Sequence, residues 1–524
     1  MHIDTYPLSV CVYPKTEKDL HILIQFSGRY AKKNMVRDPR TGEMRITEVV
    51  NHVFANKDKT EIRFLRTMFG EFQSLLQLFG YKEGTNYTVT DHVFNYPLSD
   101  KYPTILKEFQ PRDEQPALLE FIRQFELGPI LMHLSTGAGK SLSAMFHIQE
   151  RKSRFVAIMR PKYIGGDEND PEDEEARATG WIKSFKKSYD ITEDEIYIVA
   201  GSQSLKQLIQ ECLDKTDKYK AILISNKTII AYINSFRRKS KEEFEADGWK
   251  CTPFDLPRLL GVDTIVSDEI HLDYHQQCIL MSYLGVNRLL GASATPSPDD
   301  RFVDRMLRLL YPLDRRYVQK SHTAYIQPTC YRYRFKNPKA IRCETFRGYT
   351  HIGFEQSIMR QTRLKEAYFN LIAEAIEIFY IRKLQLNPDY CCVVMVATIK
   401  LARELTDYLS KKYPDYIIKS FVENDPSSNL YYSQICVSTV LGSGTAHDIP
   451  NLATVFLTNN ISSTQTNLQV AGRLRKLPDG RTPDLVYFIS ENIKKHRIYD
   501  YKKRNETFKD NLLPVNDYFT NKEI

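Results

Sequence analysis

Ile130-Leu-Met-His-Leu-Ser-Thr-Gly-Ala-Gly-Lys-Ser141 runs an apolar stretch into a Gly-rich turn, and the helical-looking Leu142-Ser-Ala-Met-Phe-His-Ile148 follows. That order predicts a strand, a phosphate-binding loop and a helix. Phosphate binding needs backbone N–H groups that point inward, and Gly137 and Gly139 lack the Cβ atoms that would block them. Thr136, Gly137, Ala138, Gly139, Lys140 and Ser141 are therefore candidate nucleotide-binding residues. Lys140 supplies a point charge for the β and γ phosphates, and Ser141 an oxygen for Mg²⁺. The match departs from G-x-x-x-x-G-K-[ST] at its first glycine, which falls on Leu134.

Other segments follow in a telling order. Thr264-Ile-Val-Ser-Asp-Glu-Ile-His271 is a short β-rich run ending in two acids, placed where a strand's carboxyl end would deliver them beside the loop. Asp268 would hold Mg²⁺, and Glu269 would orient and deprotonate an attacking water. Gly291-Ala-Ser-Ala-Thr-Pro296 follows the apolar Arg288-Leu-Leu. Much later come Ser438-Thr-Val-Leu-Gly-Ser-Gly-Thr-Ala-His-Asp-Ile-Pro450 and Gln469-Val-Ala-Gly-Arg-Leu-Arg475. Singly, these are a solvated strand end, a small-residue turn and a helix cap. Together they form a set.

Gly-Ala-Gly-Lys-Ser, Asp-Glu-Ile-His, Ser-Ala-Thr and Gln-x-x-Gly-Arg resemble the motifs of superfamily 2 helicases of the DExH type, over roughly residues 105–490. Within that superfamily the chain is most similar to phage UvsW-type recombination helicases. Part of that similarity lies in Arg40-Thr-Gly-Glu-Met-Arg-Ile-Thr47 and Phe69-Gly-Glu-Phe-Gln-Ser-Leu-Leu-Gln-Leu-Phe-Gly-Tyr81. The resemblance implies an α/β fold of two tandem RecA-like parallel-sheet lobes with a small N-terminal α/β domain. The expected divisions are 1–105, 106–325 with the loop and the DExH box, 326–490 with an arginine finger, and a basic helical tail at 491–524.

It further implies ATP and Mg²⁺ as cofactors, with ATP between the lobes. Arg473 or Arg475 would be the finger, because the family's last arginine position holds Lys476 here. Gln115 would recognise adenine, with Arg112 stacking on it, and Gly444, Asp448 and Gln469 would line the nucleotide from the second lobe. His271 and Ser293 to Thr295 would couple hydrolysis to Gln469. Arg160, Lys162, Thr228, Thr398 and Thr439 would touch a nucleic-acid strand through phosphates and sugars, without reading bases. The implied activity is that of an ATP-dependent helicase or translocase on branched or single-stranded DNA, independent of sequence. The alternatives are an RNA helicase, the motor subunit of a larger DNA-processing complex, or a nucleic-acid-binding module with an inactive ATP site. Lys140, Asp268 and Glu269 weigh against the last.

Length and charge agree with this. At 524 residues the chain suggests about three domains. A net charge of +8 is compatible with nucleic acid without demanding it. Nine cysteines with no C-x-x-C pair argue against a zinc site or a disulfide framework and fit a reducing cytoplasm, the host's if the chain is phage-encoded. No signal peptide and no membrane-spanning apolar run are expected.

The N-terminal region reads as strands at His21–Phe26 and Glu43–Val50, a turn at Asp38–Gly42, a helix from Leu65 to Phe79 capped by Gly80, and a strand at Tyr87–Phe94. Lys32, Lys33, Arg37 and Arg40 form either a phosphate grip or a solvated basic turn. Gly165 to Glu175 is densely acidic and reads as a mobile loop. Tyr331-Arg-Tyr-Arg-Phe-Lys336, in a crossover at 312–345, reads as a strand with one aromatic face and one cationic face. The end of the tail reads as loosely held.

Overall fold

The computed structural model describes residues 1–37, 44–95, 100–106, 108–111, 114–134, 139–160, 180–270, 273–293, 300–319, 324–345, 348–423, 425–426, 428–440 and 449–524. Those up to Gln319 fall into one compact unit and those after it into a second. The expected turn at 38–42 and the acidic segment 165–175 lie outside the described residues.

The first unit begins with β1 (His2–Thr5), β2 (Ser9–Tyr13), β3 (Ala31–Arg37), β4 (Met44–Asn51), β5 (Phe54–Ala55), β6 (Ile62–Leu65) and β7 (Thr88–Asp91). Five of them make a mixed sheet in the order β5-β6-β2-β1-β7, while β3 and β4 pair only with each other, antiparallel. The segment His21–Phe26 is not the expected strand; it lies in the helix Glu17–Arg29. Thr16 starts that helix with a reciprocal cap: its hydroxyl accepts from the Asp19 N–H, and Asp19 accepts from the Thr16 N–H at 3.1 Å. Ile22, Leu23 and Phe26 then fall on one buried face, while Ile24 is 67% exposed. A strand would have buried Ile24 with Ile22 and Phe26. The second helix runs Phe69–Leu78 and ends before Gly80 at φ +77°.

The same unit continues through β8 (Thr104–Ile105), β9 (Gly128–His133), β10 (Phe155–Met159), β11 (Tyr189–Asp190), β12 (Ile196–Val199), β13 (Ala221–Ser225), β14 (Thr264–Ser267), β15 (Arg288–Ser293) and β16 (Arg316–Val318). Seven of these form an all-parallel sheet, β12-β13-β10-β14-β15-β9-β16. Both faces are covered. Phe155, Ala157 and Met159 pack into one apolar cluster, and Val156 and Ile158 into another. Such two-sided burial is why these strands read as unbroken apolar runs.

The second cluster also contains Ile3, Val10, Phe26, Phe64 and Phe72 of the N-terminal region, together with Leu280 and Met281. The N-terminal sheet and the large sheet thus share one core. Arg63 lies inside it, its guanidinium 4.5 Å from the centre of the Phe254 ring. Lys32, one of the four cations of the basic turn, is paired with Asp300 at 2.6 Å.

The second unit holds β17 (Gln327–Arg334), β18 (Glu344–Thr345), β19 (Gly348–Tyr349), β20 (Cys391–Val396), β21 (Ile418–Phe421), β22 (Ile435–Thr439), β23 (Leu452–Leu457), β24 (Asp484–Ser490) and β25 (Asn516–Glu523). Its large sheet is again parallel and seven-stranded, β21-β22-β20-β23-β24-β17-β25. Cys391 and Cys392 enter opposite core layers, as neighbours on a strand should. On β17, Tyr331 and Tyr333 are buried, and Arg332 is held at 2.6 Å by both Asp500 and Asp517. The cationic face of this strand is therefore already neutralised. The chain's end is not loose: β25 pairs with β17, and Tyr518 stacks on Tyr331 at 5.2 Å. Among the described residues no helix is long and apolar enough to cross a membrane.

Lys503, in the turn that extends the helix Lys494–Lys502, is buried with its ammonium 4.8 Å from the centre of the Tyr487 ring. Its Nζ meets no hydrogen-bond acceptor among the described residues. Burial lowers its pKa to about 8, against the pull of Asp500. Between that value and the ordinary 10.5 the unfolded chain holds a proton that the folded chain has released, so stability rises with pH across that window. Lys503→Met keeps the packing and removes the buried charge. At pH 7 it should stabilise the second unit by on the order of 1–3 kcal/mol and abolish the alkaline rise, as read from urea midpoints at several pH values.

Candidate nucleotide-binding site

In a parallel sheet the loops that follow the strands gather at the carboxyl edge, and the sequence-derived candidates of the first unit do so. β9 and β15 end level, His133 opposite Ser293. The helix Lys140–Glu150 starts at Gly139, whose φ of +83° suits glycine. Space adds a second reason for glycine here, because a Cβ would stand 2.0 Å from the Gln115 amide nitrogen. That buried amide donates to the Gly139 carbonyl at 3.1 Å. Gln115, expected at the base of a nucleotide, is placed here against Gly139, at the start of this helix. Lys140 donates from Nζ to the Leu134 carbonyl at 3.0 Å, so the residue that breaks the motif's first glycine serves through its backbone.

Asp268 follows β14, and its N–H closes that strand's ladder to the Ile158 carbonyl at 3.0 Å. Its two carboxylate oxygens have different partners. Oδ2 accepts from the indole Nε1 of Trp181 at 2.9 Å, and Oδ1 accepts from the Glu269 N–H at 2.9 Å. Glu269 itself adopts φ +51°, in the left-handed region. A left-handed non-glycine residue costs about 1–2 kcal/mol, and such strain collects at working sites. Asp268 itself is half-buried, but its carboxyl sits deep enough that desolvation raises its pKa, against the Trp181 bond, the Lys140 charge and the Glu269 N–H. Sequence reasoning did not find Trp181; its only signal is rarity, since the chain has two tryptophans.

These residues suit a nucleotide with Mg²⁺. One donor per oxygen leaves a lone pair on each side of the Asp268 carboxylate. Hard oxygen ligands and a lysine beside a glycine-opened helix N-terminus match phosphate-bound Mg²⁺. Ser141 lies half-buried in the first turn of that helix. Arg112, Thr136, Gly137, Ala138, Lys162, His271, Ala294, Thr295, Gly444 and Asp448 lie outside the described residues, as do Arg40 and the side chain of Arg37.

The candidate strand contacts are placed unevenly. Arg160 directly follows β10 and is half-buried. Thr228 is buried in the first turn of the helix Asn226–Arg238, where Lys227 is the exposed residue. In the second unit Thr439 ends β22 level with Val396 of β20, and Thr398 follows two residues later. The Thr398 hydroxyl is already engaged. It caps the helix Ile399–Lys412 by accepting from the Leu401 N–H, and it donates to Glu355 at 2.8 Å. Glu355, which sequence reasoning also missed, accepts from the Ala397 N–H at 2.6 Å as well. It therefore fixes this loop from inside.

Gln469 lies in the last turn of the helix Thr464–Ala471, with Arg473 just past it, both half-buried. Arg475 donates to the Gly472 carbonyl at 2.6 Å, and Lys476 lies 5.8 Å from the centre of the Tyr325 ring.

No protein-family model matches the chain, and no curated protein matches it. Among solved structures, the chain is similar to the Pyrococcus furiosus Hef helicase domain at 15% identity and a TM-score of 0.42, over 75% of this chain and 98% of that one. It is similar to T4 UvsW at 14% identity and a TM-score of 0.32, over 99% and 100%. It is similar to S. cerevisiae Dbp5 bound to RNA and ADP BeF3 at 13% identity and a TM-score of 0.46, over 79% and 91%. At such scores, function is read from the site itself.

Burial raises the Glu355 carboxyl to about 7, against its bonds from Ala397 and Thr398. Between the ordinary 4.5 and that value the folded chain keeps a proton that the unfolded chain has lost, so stability falls as pH rises through the window. Glu355→Gln should flatten this slope, which amounts to on the order of 2–3 kcal/mol across the window. Thermal unfolding of the two proteins from pH 4.5 to 7.5 checks it, and parallel curves would show that Glu355 does not carry the dependence.

Proposed function

We propose that this chain is an ATP-dependent nucleic-acid helicase or translocase, acting on branched DNA without reading its sequence. One observation carries the reading: Lys140, the glycine-gated start of its helix and the doubly hydrogen-bonded Asp268 meet at the carboxyl edge of one parallel sheet. Structural roles alone do not call for a lysine, a strained Glu269 and a desolvated aspartate in one place.

Lys140 binds the outer phosphates once its Nζ leaves the Leu134 carbonyl. Asp268 and Ser141 hold Mg²⁺, which when bound neutralises charge on the phosphates. Glu269 orients water and takes its proton at the carboxylate. Gln115 reads the base while its amide nitrogen fixes Gly139. Arg473 and Arg475 remain candidates for the cation that stabilises the transferred phosphoryl group, with Lys476 a poorer one because an ammonium cannot bind two oxygens in a plane. Arg160 and Lys227 offer cations, and the loops at Thr398 and Thr439 offer backbone N–H groups, to a strand's backbone. Such contacts give salt-dependent affinity and little base preference.

Steady-state ATPase assays with and without forked DNA test this. Lys140→Ala should weaken nucleotide binding. Glu269→Gln should still bind ATP and turn over at least ~10²-fold more slowly, the usual contribution of a positioned base. Near-normal turnover in Glu269→Gln removes its assigned role. Stimulation by RNA and not by DNA replaces the substrate, and no turnover with either leaves a binding module.

Alanine at the true finger should lower kcat severely and leave nucleotide affinity largely unchanged. Normal turnover in both Arg473→Ala and Arg475→Ala overturns the inter-lobe finger or shifts the role to Lys476. Deleting the N-terminal region is a poor test of its grip on DNA, because its core is continuous with that of the large sheet.

A further inference from the structure

Trp181 stands outside every motif that the nucleotide reading uses, yet its indole N–H ends on the carboxylate meant for the metal. The residue is 3% exposed and starts the amphipathic helix Gly180–Ser188. Its ring lies 5.4 Å from that of Phe155 on β10, and Phe185, one helical turn on, meets the same Phe155 edge-on at 4.9 Å. Two aromatic contacts to one strand residue therefore fix the indole on the sheet. A buried indole has one donor and no acceptor, so it needs a partner, and here the partner is Asp268 Oδ2 at 2.9 Å.

The direction of this bond matters. A carboxylate on a short side chain rotates about its last torsion, which is a broad and soft one. The Glu269 N–H alone, on Oδ1, would leave that rotation partly free. The indole on Oδ2 stops it. The carboxylate plane is then set by one backbone donor and one side-chain donor, on opposite oxygens, with a lone pair of each left over.

We propose that Trp181 is a positioning residue for Asp268, orienting the carboxylate toward its Mg²⁺ and coupling metal occupancy to the helix Gly180–Ser188. This rests on the nucleotide-site reading above. It does not make Trp181 a catalytic residue, since the indole touches neither phosphate nor water in this role.

The sequence provides a direct probe, because Trp249 is the only other tryptophan. Trp249 is buried against Phe244 and Tyr232, and Trp249→Phe keeps a ring there. In the full chain carrying Trp249→Phe, all indole emission comes from Trp181. With ADP saturating, addition of Mg²⁺ should change that emission, because the metal draws charge from the carboxylate that the indole is bonded to. The second variant is Trp181→Phe, which keeps the ring on Phe155 and removes the N–H. The Mg²⁺ concentration for half-maximal ATPase should rise about tenfold, the lower end of what loss of an outer-shell partner causes. The KM for ATP at saturating Mg²⁺ should stay within about twofold, a split that general misfolding would not produce.

Either emission blind to Mg²⁺ or an unmoved Mg²⁺ midpoint in Trp181→Phe overturns the proposal. If Trp181→Phe does not fold, the emission of the Trp249→Phe chain decides alone. Wild-type protein that neither binds ADP nor hydrolyses ATP overturns the nucleotide reading and this proposal with it. Normal wild-type turnover with an unchanged Trp181→Phe midpoint overturns this proposal only.

Discussion

A parallel sheet covered on both faces has no wet surface except its ends, and most of this protein's polar chemistry follows from that. In the first unit the strands are apolar on both sides, so side chains that must meet water and anions stand where strands stop. Gly139, Lys140, Arg160, Asp268 and Ser293 all occupy such positions, at or just beyond the carboxyl ends of β9, β10, β14 and β15. The second sheet repeats the arrangement with Thr398 and Thr439. Level strand ends, held by register, bring residues distant in sequence into one row.

That geometry explains which parts were legible in the sequence. Runs such as Phe155–Met159 and Ala221–Ser225 are buried on both faces, so composition alone marks them as strands. Lys140 and Asp268 were legible as sheet-edge residues because each lies soon after an apolar run that forms a strand. His21–Phe26 was misread because β-branched content outweighed a cap signal five residues earlier: Thr16, with Asp19, commits the chain to a helix, and the helical spacing of Ile22, Leu23 and Phe26 agrees. The strand β25 was invisible for another reason. Asn516 to Glu523 sits at a sheet edge and holds two adjacent aromatics, Tyr518 and Phe519, among polar residues, a composition that does not separate it from a polar tail.

In each unit, the residue missed was one that acts on another residue. Trp181 and Glu355 hold Asp268 and Thr398 by single hydrogen bonds made across the fold, and no spacing rule connects positions so far apart. Both buried groups sit behind a loop and restrict its freedom. Precision at the rim of each sheet thus comes from its interior, and it is achieved at the cost of desolvating carboxylates that would be better solvated outside. Glu269, whose N–H is one of the two donors that fix Asp268, also carries the strained backbone of this loop.

The place of β25 bears on how the protein is made. β17, near residue 330, lies between β24 and β25, so its two neighbours come from chain synthesised more than a hundred residues later. During translation Tyr331 and Arg332 must wait, without a strand on either side, until Asp484–Ser490 and then Asn516–Glu523 have left the ribosome. The large sheet of the first unit is built the same way, since β9 lies between β15 and β16 and the sheet is complete only at Val318. Synthesis therefore gives the molecule a direction in time: each large sheet closes around its first strand only when its last has been made, the first unit's before the second's.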